Sequence, residues 1–426
     1  MPLFARAKEE AQPEAVVAAP EPRWLAGPPE AARRSLTAHR ELLLRHVSSL
    51  RPFGIGLLDA AGLTLCESIV ADLDLPTFTA ATTDGWAVRA SNLVGASTRL
   101  PVVLPVVDEI GADGYRGTPL TKGTAVRVSA GSPIPEGADA VVPLADGLAA
   151  GDEVQFVAEA RFQQNMLLAG TRISDGDQLV AAGTDLTPRV LGLIAEVGHD
   201  KVLARPRPRV VVITADSSLV EPGLPLTRLT ETYDGCTTLL AASARHDGAQ
   251  VFTAGVVASE PAALVATLTE QLVRADLVLV VTDATDALVE ALGAEGTVDV
   301  TEVDALPGRQ VFALLGEDRA PVLVLPAGAV PAYLAYLLLG RPLVQRLAGL
   351  EVAGPDAAEA PVAAPLDPDP ERTRLVLGLH TSRGVVPLPA REPGTVELAQ
   401  ANAVIVVPAG TETIAAHGDV TCWLLD

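Results

Sequence analysis

Residues 75–89 read Leu-Pro-Thr-Phe-Thr-Ala-Ala-Thr-Thr-Asp-Gly-Trp-Ala-Val-Arg. The Asp84-Gly85 pair is a common turn sequence, and it precedes a short apolar run that is typical of a strand. Residues 79–81 are Thr-Ala-Ala, which offer little for binding an ion. The segment therefore predicts a turn followed by a strand, in a loop with few groups for chemistry.

A second informative segment follows at residues 123–142, which read Gly-Thr-Ala-Val-Arg-Val-Ser-Ala-Gly-Ser-Pro-Ile-Pro-Glu-Gly-Ala-Asp-Ala-Val-Val. It is similar to G-x-A-x-R-I-x-T-G-A-P-x-P-x-G-A-D-A-V-V, and residues 75–89 resemble L-P-P-F-D-N-S-A-M-D-G-Y-A-V-R. Both patterns are those of the molybdopterin molybdotransferase family, which includes MoeA and the E domain of gephyrin. The resemblance spans residues 35–426.

Several expectations come with this resemblance. It implies an elongated, four-part subunit that forms a homodimer. It also implies a site between two subunits that receives adenylated molybdopterin, releases AMP and inserts molybdate in the presence of magnesium.

Composition limits the other classes of function. The chain has 426 residues, of which 49% are hydrophobic and 20% charged, and a net charge of −22. Such a chain is globular with several domains, and its acidic surface disfavours nucleic acid and anionic membranes. Three scattered cysteines fit a reducing cytoplasm, and no apolar run is long enough for a membrane span.

The fold class we expect is multi-domain α/β plus β. It has a central parallel α/β domain that resembles a molybdopterin-binding domain, a β-rich lobe and a small C-terminal β-barrel-like domain. The expected parts are a disordered tail (1–33), an elongated helical linking domain (34–75 with 166–205), the β-rich lobe (76–165), the α/β domain (206–350), a linker (351–370) and the C-terminal β domain (371–426). Within the tail, Trp24 and Leu25 are an alternative docking segment.

The α/β domain is predicted from alternating patterns. Residues 210–214, 251–257 and 277–282 read as strands, and residues 237–245 and 261–274 read as helices. Such alternation indicates a parallel sheet whose ligand edge lies at the carboxyl ends of the strands. Asp216 and Asp283 are expected at that edge.

Two further helices are predicted from their caps. Ser35 precedes an amphipathic pattern that runs to Leu50, and Thr187 precedes Pro188 at the start of a pattern that ends at Val197. His39 and His46 lie seven residues apart on the first of these helices and are expected at the surface.

The family's ligand motifs are altered in this chain. Its N-I-R-R-R-G-E-D-I run is Asn-Met-Leu-Leu-Ala-Gly-Thr-Arg-Ile at residues 165–173, and its T-G-D-E motif is Thr-Ala-Asp-Ser at residues 214–217. Its S-G-G-V-S loop is Val-Thr-Asp-Ala-Thr at residues 281–285, and its K-P-G-K-P motif is Leu-Pro-Gly-Arg-Gln at residues 306–310. Cations and glycines that would hold phosphate oxygens are lost.

Some positions keep the polar residues that the resemblance implies. Asp84 and Asp216 are the implied catalytic and metal-binding residues. The implied cofactor-binding residues are Thr214, Asp234, Asp276, Gly308 and Arg309. The alternative reading is that these residues only end strands and cap turns.

The function we expect is that of a catalytically compromised homologue, a pseudoenzyme that acts as a dimeric, cytoplasmic scaffold for a protein partner. The alternative is an active transferase of molybdenum-cofactor synthesis. It would hold Mg²⁺ with Asp84 and Asp216, and bind molybdopterin anions with Arg89, Arg127, Arg172 and Arg309. The compromised form would need no cofactor.

Overall fold

The computed structural model describes residues 23–27, 33–111, 119–283, 285–389 and 393–425. The chain divides into two compact units. We call residues 1–51 with 206–426 the α/β unit, and residues 52–205 the β unit. In the described ranges, no helix combines the length and the apolar character that crossing a membrane requires.

The chain contains short helices and many strands. The helices are α1 (Leu36–His46), α2 (Pro188–Glu196), α3 (Cys236–His246), α4 (Pro261–Leu272), α5 (Asp286–Glu295), α6 (Ala329–Ala335), α7 (Arg341–Ala348) and α8 (Thr395–Gln400), and a π-helical segment (Tyr336–Gly340) joins α6 to α7.

The strands of the first half are β1 (Arg23–Trp24), β2 (Phe53–Gly56), β3 (Ile69–Val70), β4 (Ala80–Ala81), β5 (Gly85–Val88), β6 (Val102–Ile110), β7 (Ala125–Val128), β8 (Ala140–Pro143), β9 (Gly147–Ala150), β10 (Glu153–Phe156), β11 (Met166–Leu167), β12 (Gln178–Val180) and β13 (Lys201–Ala204). Those of the second half are β14 (Arg209–Ala215), β15 (Leu219–Val220), β16 (Thr232–Tyr233), β17 (Gln250–Val257), β18 (Leu277–Val281), β19 (Gly296–Glu302), β20 (Arg309–Leu315), β21 (Ala320–Leu325), β22 (Ala357–Pro361), β23 (Arg374–Thr381), β24 (Gly384–Pro387), β25 (Ala403–Val407) and β26 (Asp419–Leu424).

In the β unit, the two segments quoted from the sequence lie side by side. A six-stranded sheet has the order β8-β5-β7-β6-β10-β9, so β5 of the first segment pairs with β7 and β8 of the second. A Cβ atom at Gly85 would lie 2.3 Å from the carbonyl oxygen of Val142. Only glycine fits there, so close strand packing is sufficient to explain the Asp-Gly pair.

The α/β unit is built on a seven-stranded sheet of order β1-β19-β20-β21-β18-β14-β17. The strands β17, β14, β18 and β21 are parallel, which confirms the pattern of alternating strands and helices. The sheet is nevertheless mixed, because β20 runs antiparallel to both β19 and β21. The sequence predicted only the parallel part of this sheet, and the antiparallel β19–β20 and β20–β21 hairpins extend it.

Alternate residues of β14 face two helical layers. Val210 and Val212 pack in a core with α1, α3, α6 and α7, whereas Val211 and Ile213 pack in a second core with α4 and α5. All four are fully buried. Burial on both faces is the reason that this strand is a continuous run of β-branched residues.

The two predicted caps are confirmed. The Ser35 hydroxyl accepts a hydrogen bond from the Ala38 amide at the start of α1, and the Thr187 hydroxyl accepts one from the Val190 amide at the start of α2. The first helix is shorter than expected, because it ends at His46 instead of Leu50. It packs in the core of the α/β unit, whereas the sequence placed it in a linking domain with residues 166–205.

The disordered tail predicted for residues 1–33 does not extend over all of them. Arg23–Trp24 form the edge strand β1, which pairs in parallel with β19, and the Leu25 amide donates to the Val298 carbonyl. Trp24 packs against the second core. Residues 1–22 and 28–32 lie outside the described residues.

The C-terminal part forms a five-stranded sheet of order β22-β26-β25-β23-β24, as the short alternating strands predicted. A bridge between Val362 and Val385 brings its first and last strands together, so the sheet curls. The segment 351–370, expected as a linker, contributes β22 to this sheet. The Ala- and Pro-rich composition of β22 concealed its pairing with β26.

Candidate functional site

A cavity of about 280 Å³ opens at the carboxyl ends of the parallel strands. It is lined by Thr214, Ala215 and Asp216 at the end of β14, by Val281, Thr282 and Asp283 at the end of β18, and by Ala327 and Gly328 after β21. The strand polarity therefore brings these three loops together, as expected for an α/β sheet. Asp216 and Asp283 meet at one cavity, which confirms their predicted position.

The charges of this cavity are negative. One oxygen of Asp216, Oδ1, accepts hydrogen bonds from the Ser218 amide at 2.8 Å and the Ser218 hydroxyl at 2.7 Å. Its Oδ2 and both carboxylate oxygens of Asp283 accept no hydrogen bond from a described residue. Among the described residues, no lysine or arginine lines the cavity. A bare phosphate would thus meet two carboxylates and no balancing side chain.

Thr214 and Asp234 hold the first turn of α3 beside the cavity. The buried Thr214 hydroxyl lies 2.8 Å from the Thr237 hydroxyl, and Asp234 accepts hydrogen bonds from the amides of Cys236 and Thr237 at 2.9 and 3.1 Å. The helix terminus is capped from within the chain, so these amides are not free for a ligand anion. Burial, together with the Asp234 charge, raises the pKa of the Cys236 thiol to about 11.

Asp276 lies at the other end of the sheet. It precedes β18 and receives hydrogen bonds from Arg209, the first residue of β14, through Nε at 3.1 Å and Nη2 at 2.8 Å. The seven residues of β14 separate this pair from the cavity by roughly 20 Å. The implied role of Asp276 in cofactor binding is therefore not supported by its position.

Gly308 and Arg309 lie at the cavity edge of the sheet, because β20 runs antiparallel to β21 and starts where β21 ends. Gly308 has a φ of +68°, which favours glycine. The Arg309 guanidinium is ion-paired with Asp286, the first residue of α5. Since Thr285 and Leu288 of the same turn line the cavity, Arg309 is held at its rim by a neighbouring carboxylate.

Asp84 belongs to the β unit, where it is exposed. Its Oδ1 accepts a hydrogen bond from the Ala130 amide at 2.7 Å, which joins the loops of the two quoted segments. Two arginines of the same unit are ion-paired at the surface, Arg127 with Glu109 and Arg172 with Glu196. A structural role accounts for each of these contacts.

Comparisons with known proteins extend over most of the chain. Residues 34–198 match the family model described as MoeA N-terminal region (domain I and II). Molybdopterin molybdenumtransferase 1 of Mycobacterium tuberculosis is 30% identical over 398 residues, which cover 85% of this chain and 92% of that protein. This chain belongs to the molybdopterin molybdenumtransferase family.

One further relative and one solved structure are similar to most of the chain. Molybdopterin molybdenumtransferase 2 of Mycobacterium tuberculosis is 29% identical over 405 residues, which cover 92% of this chain and 99% of that protein. The crystal structure of the molybdopterin biosynthesis MoeA protein from Pyrococcus horikoshii has the same fold. It superposes with a TM-score of 0.74 at 24% identity and covers 93% of this chain and all of that one.

Several residues that line the sheet-edge cavity were not predicted from the sequence. Ser259, Thr282, Thr285 and Cys236 line it, although none was expected as a site residue. Thr282 and Thr285 flank a predicted strand end and were detectable from that pattern, whereas Ser259 follows β17, where no motif drew attention. In the described ranges, no group of three or more His, Cys, Asp or Glu side chains is placed to hold a metal.

Proposed function

We propose that this chain catalyses molybdopterin molybdenum transfer, the activity named in its relatives, with the sheet-edge cavity as its ligand site. The near complete coverage of both Mycobacterium tuberculosis proteins supports this reaction. The observation that carries the proposal is the pair of carboxylates, Asp216 and Asp283, with oxygens that no described residue engages.

These carboxylates suit a hard cation. Mg²⁺ is usually bound by one or two carboxylates, several waters and the phosphates of a substrate. Asp216 and Asp283 fit that donor set, and the cation would supply the positive charge that the lining residues lack. Bound there, Mg²⁺ would neutralise phosphate oxygens and promote departure of AMP.

The side chains around the cavity have supporting roles in this proposal. Ser218 donates to one oxygen of Asp216, and the other oxygen would be available to a cation. The Thr214–Thr237 contact keeps the end of β14 and the start of α3 in place. Arg309 is a cation at the rim, and its guanidinium is ion-paired with Asp286.

The test is calorimetry with adenylated molybdopterin, with and without Mg²⁺ and molybdate, followed by measurement of AMP. We expect binding and AMP release that require Mg²⁺, and at least a tenfold loss in Asp216→Asn. Asp276→Asn is the matched control, since Asp276 lies at the opposite sheet edge, and it should retain activity. Binding that is equal with and without Mg²⁺ would contradict the proposal.

A second candidate is the compromised scaffold, and a specific observation favours it. Three of the four arginines expected to bind anions are engaged elsewhere: Arg309 by Asp286, Arg127 by Glu109 and Arg172 by Glu196. Each lost charge-assisted hydrogen bond weakens binding by roughly 1.5–3 kcal/mol. If the folded protein neither binds adenylated molybdopterin nor releases AMP at any Mg²⁺ concentration, the scaffold function is the better one.

A further inference from the structure

A second, larger cavity lies on another side of the α/β unit. Its volume is about 500 Å³, and none of its lining residues lines the sheet-edge cavity. One wall is a stripe of α3 at helical spacing, with Leu239, Ala242, Ser243 and His246, and α8 supplies the opposite wall with Leu398. Volumes of a few hundred Å³ with mainly apolar walls are typical of small-molecule sites.

The polar part of this cavity is built around Asp247, which follows α3. Its Oδ2 accepts a hydrogen bond from the Tyr336 hydroxyl at 2.6 Å, and its Oδ1 lies 2.9 Å from Nε of Arg341. The Asp247 side chain is only 7% exposed. Burial and the Asp247 charge raise the pKa of Tyr336, so the phenol stays a donor. The carboxylate is therefore satisfied and does not attract a cation.

Arg341 is the member of this cluster that remains available. Its side chain is 33% exposed, and Asp247 is its ion-pair partner among the described residues. Its enclosed Nε forms no hydrogen bond, and no described residue accepts one from its Nη atoms. A guanidinium carries five N–H donors in a planar fork and binds a carboxylate through two of them. Most of that capacity is unused here.

We propose that this second cavity binds a small amphipathic monocarboxylate, with its carboxylate on Arg341 and its hydrocarbon part against α3 and α8. A single charge is favoured because Asp247 lies behind the same guanidinium and would repel a dianion. The planar fork of arginine favours a carboxylate over a cation or a neutral polar group. Apolar side chains such as Leu239 and Leu398 provide the surface for the ligand's carbon chain.

The test uses octanoate as the probe, with octanol and octylamine as charge-changed controls, in calorimetry with the full chain. We expect octanoate to bind at least tenfold more tightly than either control. Binding of octanol as tight as that of octanoate would overturn the proposal, because the cavity would then be only an apolar cleft that suits a peptide segment equally well.

Two variants of one helix locate the site. Ala242 lines the cavity, so Ala242→Trp places a bulky side chain there, and we expect octanoate binding at least tenfold weaker. Thr238→Trp, on the same helix but outside the cavity lining, should change the octanoate affinity less than twofold. Arg341→Lys keeps the charge beside Asp247 but lacks the fork, and at least a fivefold loss is expected. Unchanged octanoate affinity in Ala242→Trp, at a normal melting temperature, would disprove the assignment.

Discussion

Two polar clusters of the α/β unit differ in how their carboxylate oxygens are used. In the first, Arg34 donates to both oxygens of Asp299 at 2.7 and 3.1 Å and approaches Nδ1 of His39 at 3.0 Å. In the second, the sheet-edge cavity, Asp216 and Asp283 keep oxygens that no described residue engages. A buried carboxylate whose two oxygens are both engaged within the chain, such as Asp299, acts on the stability of the fold. A carboxylate with a free oxygen is where a ligand supplies the missing partner.

The largest effect we expect concerns His39, which lies in the first cluster. The pKa of His39 is lowered to about 4, mainly by burial; the Asp299 charge opposes this shift, and the Arg34 charge adds to it. The unfolded chain binds the proton from about pH 6.5 downwards, so the stability contributed by neutral His39 is lost between pH 6.5 and 4. The predicted loss in the free energy of unfolding is about 3 kcal/mol.

Urea unfolding at several pH values between 7.5 and 4 measures this loss. His39→Gln is the control, because an amide side chain does not titrate but can still accept a hydrogen bond from Arg34. The variant should lose at least 2 kcal/mol less than the parent over the same range, on the order expected from the pKa shift. Equal pH dependence in both proteins would exclude His39 as the cause.

The same two clusters separate what the sequence predicts from what it does not. The position of Asp216 and Asp283 was predictable, because each follows a strand whose β-branched or Leu-Val pattern is local. The burial of His39 was not, and its expected surface position is wrong: it is fully buried beside Asp299, a partner 260 residues away in sequence. Helical spacing alone does not reveal which face a distant strand will cover.

Other residues follow the same division. The caps Ser35 and Thr187 depend on neighbours three residues away and were predicted correctly. The pairing of Trp24 with β19 joins segments far apart and was missed. Asp276 lies at the end of the sheet opposite the cavity, a position that was predictable because it precedes its strand whereas Asp216 follows one.

A smaller loss in the free energy of unfolding is expected when the carboxylates at the two ends of β14 are removed one at a time. Asp276→Ala removes the partner of the Arg209 backbone amide and guanidinium at the amino end. We expect a loss of about 1–2 kcal/mol in unfolding free energy, because Arg209 is partly exposed and water replaces some of its contacts. Urea denaturation measures this loss.

Asp216→Ala at the carboxyl end is the matched change, since its contacts are confined to Ser218, two residues away. This substitution should lower the free energy of unfolding by less than about 0.5 kcal/mol, as is usual for partly exposed positions. If the two variants were equally destabilised, the assignment of one end to structure and the other to ligand binding would fail.

The smallest effect we expect concerns Asp286, which holds Arg309 in an ion pair at the rim of the sheet-edge cavity. Asp286→Asn removes one negative charge beside the cavity and releases Arg309 from its ion pair. The affinity for pyrophosphate should then increase about three- to tenfold, which corresponds to roughly 0.7–1.4 kcal/mol, measured by calorimetry at low salt because rim charges are screened. Glu290→Gln, an exposed carboxylate further along α5, is the control for the change in net charge and should alter affinity less than twofold.

In the double variant Asp286→Asn with Arg309→Ala, the gain in pyrophosphate affinity should disappear, since the released guanidinium is what binds the anion. A gain that persisted without Arg309 would instead mean that Asp286 acts only by repelling the ligand.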